Sequence, residues 1–389
     1  MRLSDALPRS ASLLATVLLP LLSGCSSLGY YWQSVHGHLE VMRAARPIDD
    51  WLQDPATPPA LKARLELARH IRAFAVSALD LPDNASYHRY ADLHRSSVIW
   101  NVTAAEPFSL ELHTWCFPIT GCIGYRGYFD VADARAEAQA LQARGLETFV
   151  YGVPAYSTLG WMNWAGGDPL LNTVVDYPDG ELAQLIFHEL AHQVVYVDDD
   201  TTFNESFATA VERLGVREWL AREASPEARA AYAALEVEQQ QFRTLTRQVR
   251  QQLQALYAQE TPPDQPPERR QALKEEAMAD FRARYASLRQ GWHLAPQRQA
   301  AYDQWVARAN NAAFGTLSAY DALVPAFEAL FRRQGGSGRE AWTHFYDAVR
   351  HLAALPDGQR LAALARETPA TPENRPETEL DRPNAEPAP

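Results

Sequence analysis

One stretch of this chain combines side chains that could do hydrolytic chemistry: His188-Glu189-Leu190-Ala191-His192, followed after a short acidic turn by Asn204-Glu205. Two histidines four apart on a helix share one face, with Cβ atoms roughly 6 Å apart, close enough for both imidazoles to bind one ion. Imidazole nitrogens so placed suit Zn2+, one per chain. Glu189 follows the first histidine, at the flank of that face. There a carboxylate can accept a proton from water that zinc has acidified toward a pKa of about 7. Catalytic zinc usually keeps three protein ligands and one open position, and Glu205 is the best-placed third ligand. The turn-rich segment from Val197 to Phe203 lets a second helix start at Asn204, an N-cap residue type, which returns Glu205 beneath the histidines. Glu212, seven residues further on the same face, is placed with Asn204 to support the ligands from behind; the alternative for Glu212 is a plain surface glutamate.

The rival reading of the motif is a solvated helix face on which such residues fall by chance. Leu185-Ile186-Phe187 before it and Val194-Val195 after it make the helix apolar nearly all round. Burying two histidines and a glutamate without partners is costly, and a bound cation removes that cost.

The elements that must position these residues come from a chain of 389 residues with net charge -12 and three cysteines. The length allows one large or two modest domains, and the acidic balance argues against a nucleic-acid partner. At the N-terminus, Arg2 and Arg9 precede an apolar run from Ala11 to Leu22, too short to span a bilayer, as in a secretory signal. Leu22-Ser23-Gly24-Cys25 resembles the bacterial lipobox, which would acylate Cys25 and anchor the chain to a membrane; an ordinary signal with an incidental cysteine is the alternative. Ser26, where an aspartate would retain a lipoprotein in the inner membrane, favours by resemblance the outer membrane facing the periplasm. Cys116 and Cys122 then remain for one disulfide in an oxidising compartment, or for two buried thiols.

Helical spacing predicts helices over Gly29 to Arg46, Ala60 to Leu79 and Val131 to Arg144. Alternation predicts strands at Ser97–Val102, Phe108–Leu112 and Glu147–Val153, enough for a small antiparallel sheet beside the zinc helix. An edge strand there, Glu147–Val153 or the segment after it, could take a peptide by β-addition. From Arg217 to Tyr257 and from Pro267 to Gln290 the chain reads as a long helical hairpin, mostly solvated and a possible site for a protein partner. Thr368 to Pro389 has too few apolar residues to fold.

These residues carry a resemblance to a family of predicted bacterial zinc aminopeptidases, often predicted lipoproteins. The matching stretches are Trp115-Cys116-Phe117-Pro118 with Gly121-Cys122, Tyr125 to Phe129, Ala155 to Trp161, His188 to His192 and Phe203 to Gly215. More broadly the chain is similar to gluzincin metallopeptidases, whose third ligand is a glutamate on the helix after the histidines. The interval from His192 to Glu205 is shorter than in thermolysin-like enzymes, and no Gly-Ala-Met-Glu-Asn-like amine-binding segment is present.

The resemblance implies an α+β, predominantly helical fold: a zincin-like core, a small antiparallel sheet and a long helical hairpin. The expected organisation is a signal over 1–24, a catalytic region over 25–215, the hairpin over 216–300, helices completing the cleft over 301–366 and a disordered tail over 367–389. The implied activity is peptide hydrolysis with Glu189 as general base, and Tyr320, Tyr156 and Tyr125 are candidates to stabilise the oxyanion. Two alternatives stand beside an aminopeptidase: an envelope endopeptidase, and a lipid-anchored interaction protein with a structural zinc.

Overall fold

The computed structural model describes residues 29–117, 121–155, 158, 160, 163–258, 267–317 and 323–367. The fold is α+β and predominantly helical, with sheets of two or three strands. Cys25, Tyr156, Tyr320 and the expected signal and tail lie outside the described residues. No described helix is long and apolar enough to cross a membrane.

The main core surrounds α5 (Asp179–Ala191) and α6 (Thr201–Arg222), which make the most extensive helix–helix contact in the chain. On α5, Leu182, Ile186 and Leu190 form one buried row and Ala183, Phe187 and Ala191 the next. This is the i, i+4 geometry of a helix packed on two sides. Those rows meet α3 (Pro59–Ser77) and the C-terminal helices α11 (Val324–Arg333) and α12 (Gly338–Ala353), through Phe74, Phe327 and Phe345 among others. The remaining face of α5 carries His188 and Glu189.

The expected antiparallel sheet forms from β3 (Ile99–Ala105), flanked by β6 (Arg126–Tyr128) and β7 (Glu147–Val153), with Ile99 opposite Val153 and Ala105 opposite Glu147. Helix α4 (Val131–Gln142) packs on it and stops before Gly145, whose φ of 89° suits glycine. A second sheet, β1 (Arg46–Pro47), β2 (Arg89–Ala91) and β8 (Leu170–Leu171), is mixed, because β2 and β8 run parallel. The predicted strand at 108–112 is instead a turn ending in a single bridge from Leu112 to Ala105. Ser109 explains the difference: its N–H donates to Glu106 O and its hydroxyl accepts from Glu111 N, which closes the backbone on itself.

Helix α1, over 29–44, opens the described chain, with Tyr31, Trp32, Val35 and Leu39 exposed. The long hairpin is α7 (Pro226–Ala258) and α8 (Pro267–Arg289), which with α9 (Pro296–Arg308) and α10 (Asn311–Thr316) encloses a second core. Its first helix was expected from Arg217. In fact α6 continues through Gly215 to Arg222, and the chain turns only at Ser225-Pro226. Gly215 serves close packing within α6: a Cβ there would lie 2.7 Å from Leu79 Cδ1 and 3.1 Å from Phe187 Cδ2.

Candidate metal centre

Helix α5 presents His188 and then ends, with His192 at its C-cap. Both Nε2 atoms turn inward and lie 3.1 Å apart. Glu205, one turn into α6, places Oε2 3.4 Å from His188 Nε2 and 3.8 Å from His192 Nε2. A tetrahedral zinc with bonds of about 2.0–2.2 Å holds its ligand atoms roughly 3.3–3.6 Å apart, so the three separations fit one ion. These three residues are a group that could hold a metal ion.

The surroundings fit a cation. Burial pushes the His192 imidazole down to about 4, outweighing Glu205, so it is neutral and its lone pair is free to ligate. For His188 burial acts the same way, but the carboxylates of Glu205 and Glu212 reverse it and raise the pKa well above the ordinary value. Without a metal, that proton is the positive charge the carboxylates require. Burial also raises the Glu189 carboxyl to about 7, with Glu205 adding to it and His188 opposing.

Glu212 Oε2 accepts from His188 Nδ1 at 2.8 Å, and its other oxygen accepts from Gln184 Nε2 at 2.7 Å. A proton held on Nδ1 leaves Nε2 as the lone-pair nitrogen facing the other ligands. His192 Nδ1 is buried without a hydrogen-bond partner among the described residues.

Asn204 is not the N-cap of α6. Asp200 takes that place, accepting from Phe203 N at 2.9 Å, while Arg360 on α13 (Asp357–Ala365) clamps its other oxygen. Both residue types cap helices; the Arg360 contact from a distant element selects Asp200. Asn204, buried in the first turn, uses its amide twice on Val197, accepting from N at 2.8 Å and donating to O at 2.7 Å. It therefore fixes the connection between the helices that carry His188 and Glu205.

Cys116 and Cys122 form a disulfide across the hairpin of β4 (Trp115–Phe117) and β5 (Gly121–Ile123). Cys122 N–H donates to Asp199 Oδ1, which docks this hairpin on the α5–α6 connection. Behind His192, Gln193 Oε1 accepts from Asn84 at 2.7 Å and Nε2 donates to Ser86 Oγ at 3.2 Å. Gly160, at φ 78°, approaches the same glutamine so closely that a Cβ would meet its Oε1 at 3.3 Å.

Of the tyrosines read from sequence, Tyr125 is brought to this centre. Burial raises its pKa, and Glu205 and Glu189 raise it further, so the phenol stays protonated. Sequence reasoning missed three others. Tyr151 and Tyr196 are also within electrostatic reach of Glu205. Tyr87, at φ 66°, is buried within reach of Glu189 and Asp168, and its hydroxyl lacks a partner among the described residues. No motif marks them; the strand position of Tyr151 on β7 was the one usable signal.

The edge strand β7 is partly closed. Thr148 O accepts from Asn310 Nδ2 at 2.9 Å and Val150 O from Arg308 Nη1 at 3.3 Å.

No curated protein and no solved structure matches this chain. A family model described as "Putative aminopeptidase" matches residues 29–364. That span is most of the sequence and includes every residue of the centre described above, so the chain belongs to this peptidase-like family.

Proposed function

We propose that the protein is a zinc-dependent aminopeptidase, lipid-anchored through Cys25 in the bacterial outer membrane and facing the periplasm. The observation that carries the catalytic reading is the convergence of His188 Nε2, His192 Nε2 and Glu205 Oε2 beside the Glu189 carboxyl. The exopeptidase part rests on the family. A zincin-like catalytic region over 25–215 would be completed by helices from 301–366, with a signal over 1–24 and a tail over 367–389.

Zinc bound to these three side chains would supply Lewis acidity, polarising a peptide carbonyl and acidifying the attacking water. Glu189 accepts the proton of that water and hands it to the leaving amine, a transfer suited to a carboxyl whose pKa lies near neutrality. Tyr125 donates its phenolic hydrogen to the developing oxyanion, and Tyr156 and Tyr320 are proposed for the same task from outside the described residues. Glu212 holds the His188 ring in place, and Asn204 fixes the connection that brings Glu205 to it.

The exposed aromatic and aliphatic side chains of α1, at 31, 32, 35 and 39, follow Cys25 closely and suit a resting place at lipid headgroups. The disulfide suits an oxidising compartment.

The test is hydrolysis of matched peptides with free and acetylated N-termini. Release of the first residue from the free peptide alone, abolished by chelation and restored by zinc, is expected. Internal cleavage of the acetylated peptide would make the protein an endopeptidase, and activity indifferent to chelation would remove the zinc mechanism.

A further inference from the structure

Resting on the peptidase reading, we infer that Arg250 on α7 binds the C-terminal carboxylate of a short peptide substrate. Among the described residues, Arg250 is a cation without a counter-charge. Arg250 is half-buried, its Nε is buried without a partner, and burial lowers its pKa with no charged group opposing that effect. The other buried Nε atoms without a partner among the described residues belong to arginines whose remaining nitrogens are engaged: Arg95 with Phe129 O and Val98 O, Arg126 with Glu137, Arg270 with Tyr257 O and Arg360 with Asp200. Arg250 has no such contact among the described residues. A desolvated guanidinium left unpaired is costly, and a planar two-oxygen anion satisfies it best.

Arg250 lines a cavity of about 610 Å³, within the range of small-molecule sites of roughly 300–1,000 Å³. Apart from tyrosines, Glu111, which is exposed, is the one other ionisable residue among the described residues that line it. The walls include Phe108, Leu110 and Leu112, apolar surface for a side chain next to the carboxylate.

The cavity adjoins the metal centre. Tyr125 and Tyr151 line it and lie within electrostatic reach of Glu205. Thr201, also in its wall, precedes Glu205 by one turn on the same face of α6. A second cavity of about 420 Å³, lined by His188 and Glu189, flanks the centre from the α5 side. A peptide running from the second cavity past the ligands into the first would place its C-terminal end toward Arg250. The substrate class is then short peptides with both ends free, since Arg250 reads the end opposite the one released.

The experiment measures binding by calorimetry of an alanine tetrapeptide as free acid and as amide, using zinc-loaded Glu189→Gln protein so that nothing is turned over. The free acid is expected to bind about 10- to 100-fold more tightly, as for hydrogen bonds to a charged partner. Adding Arg250→Gln should bring the two dissociation constants together, and Arg250→Lys should keep part of the preference because it keeps the charge but loses the planar fork. Equal binding of acid and amide by Glu189→Gln protein overturns the inference, whether or not the Arg250 variants fold. So does failure of both to bind, or a preference that follows an acidic side chain placed inside an amidated peptide. Peptide hydrolysis by the wild-type chain, measured separately, reports whether the peptidase reading itself stands.

Discussion

Helix α5 is apolar nearly all round in sequence and α7 is amphipathic, so a polar residue means different things on each. On α5, two adjacent rows of side chains are fully buried, and the remaining face carries His188 and Glu189, which are partly buried and line the cavity beside the candidate metal centre. On α7, 33 residues long, burial is confined to a stripe including Tyr232, Leu235, Leu245, Val249 and Leu253; Glu227, Arg229 and Arg247 face solvent, while Glu238 is buried and accepts from His293 N. A charge on the inner faces of α5 must be matched by protein or ligand, whereas an exposed one on α7, such as Arg247, is solvated at little cost. The contrast gives polar residues on α5 strong predictive value and hides the less exposed charges of α7, Arg250 among them.

The largest effect should come from the face of α5 that is not apolar. Glu189→Gln should lower peptide hydrolysis by about 10²- to 10⁴-fold while zinc content is unchanged, measured by turnover and metal analysis on the same sample. Equal loss of zinc and activity would mean that Glu189 holds the metal site together, not that it moves a proton. On the buried face, Phe187→Ala should destabilise the fold by about 3–5 kcal/mol, because Phe187 is fully buried and its ring packs near Phe74 and under Gly215. Denaturant unfolding would show this.

Glu212→Gln tests the support beneath His188 and should weaken zinc about 10- to 100-fold, read by competition with a chromogenic chelator. At the small end, Arg247→Ala on the exposed side of α7 should change unfolding free energy by no more than about 0.5 kcal/mol. A larger loss there would mean that α7 is not the solvated helix its sequence describes.

What the sequence made legible follows the same division. The histidine pair and Glu189 could be read because four-residue spacing on one helix is a local property. Strand β7 and helices α3 and α4 were legible from their periodicity, almost to the residue. The start of α6 was not, because Asp200 and Asn204 are both capping types and the deciding partner, Arg360, is 160 residues away. The alternation at 108–112 was misleading because Ser109 bonds to the local backbone. Gly215 resembled a boundary only because the neighbours that require a glycine, Phe187 on α5 and Leu79 in the turn after α3, come from elsewhere in the chain. Tyr87, Tyr151, Tyr196 and Arg250 reach the centre or its cavity through tertiary packing, with no spacing between them to detect.

The proposed peptide hydrolysis depends on one divalent cation held by His188, His192 and Glu205, the group that could hold it. The most direct measurement is elemental analysis of the purified chain after gel filtration in dilute zinc and removal of free metal, beside the double variant His188→Ala/His192→Ala. One zinc per wild-type chain and none in the folded variant is the predicted result. A wild-type chain without stoichiometric metal, or a variant that retains it, would contradict the account.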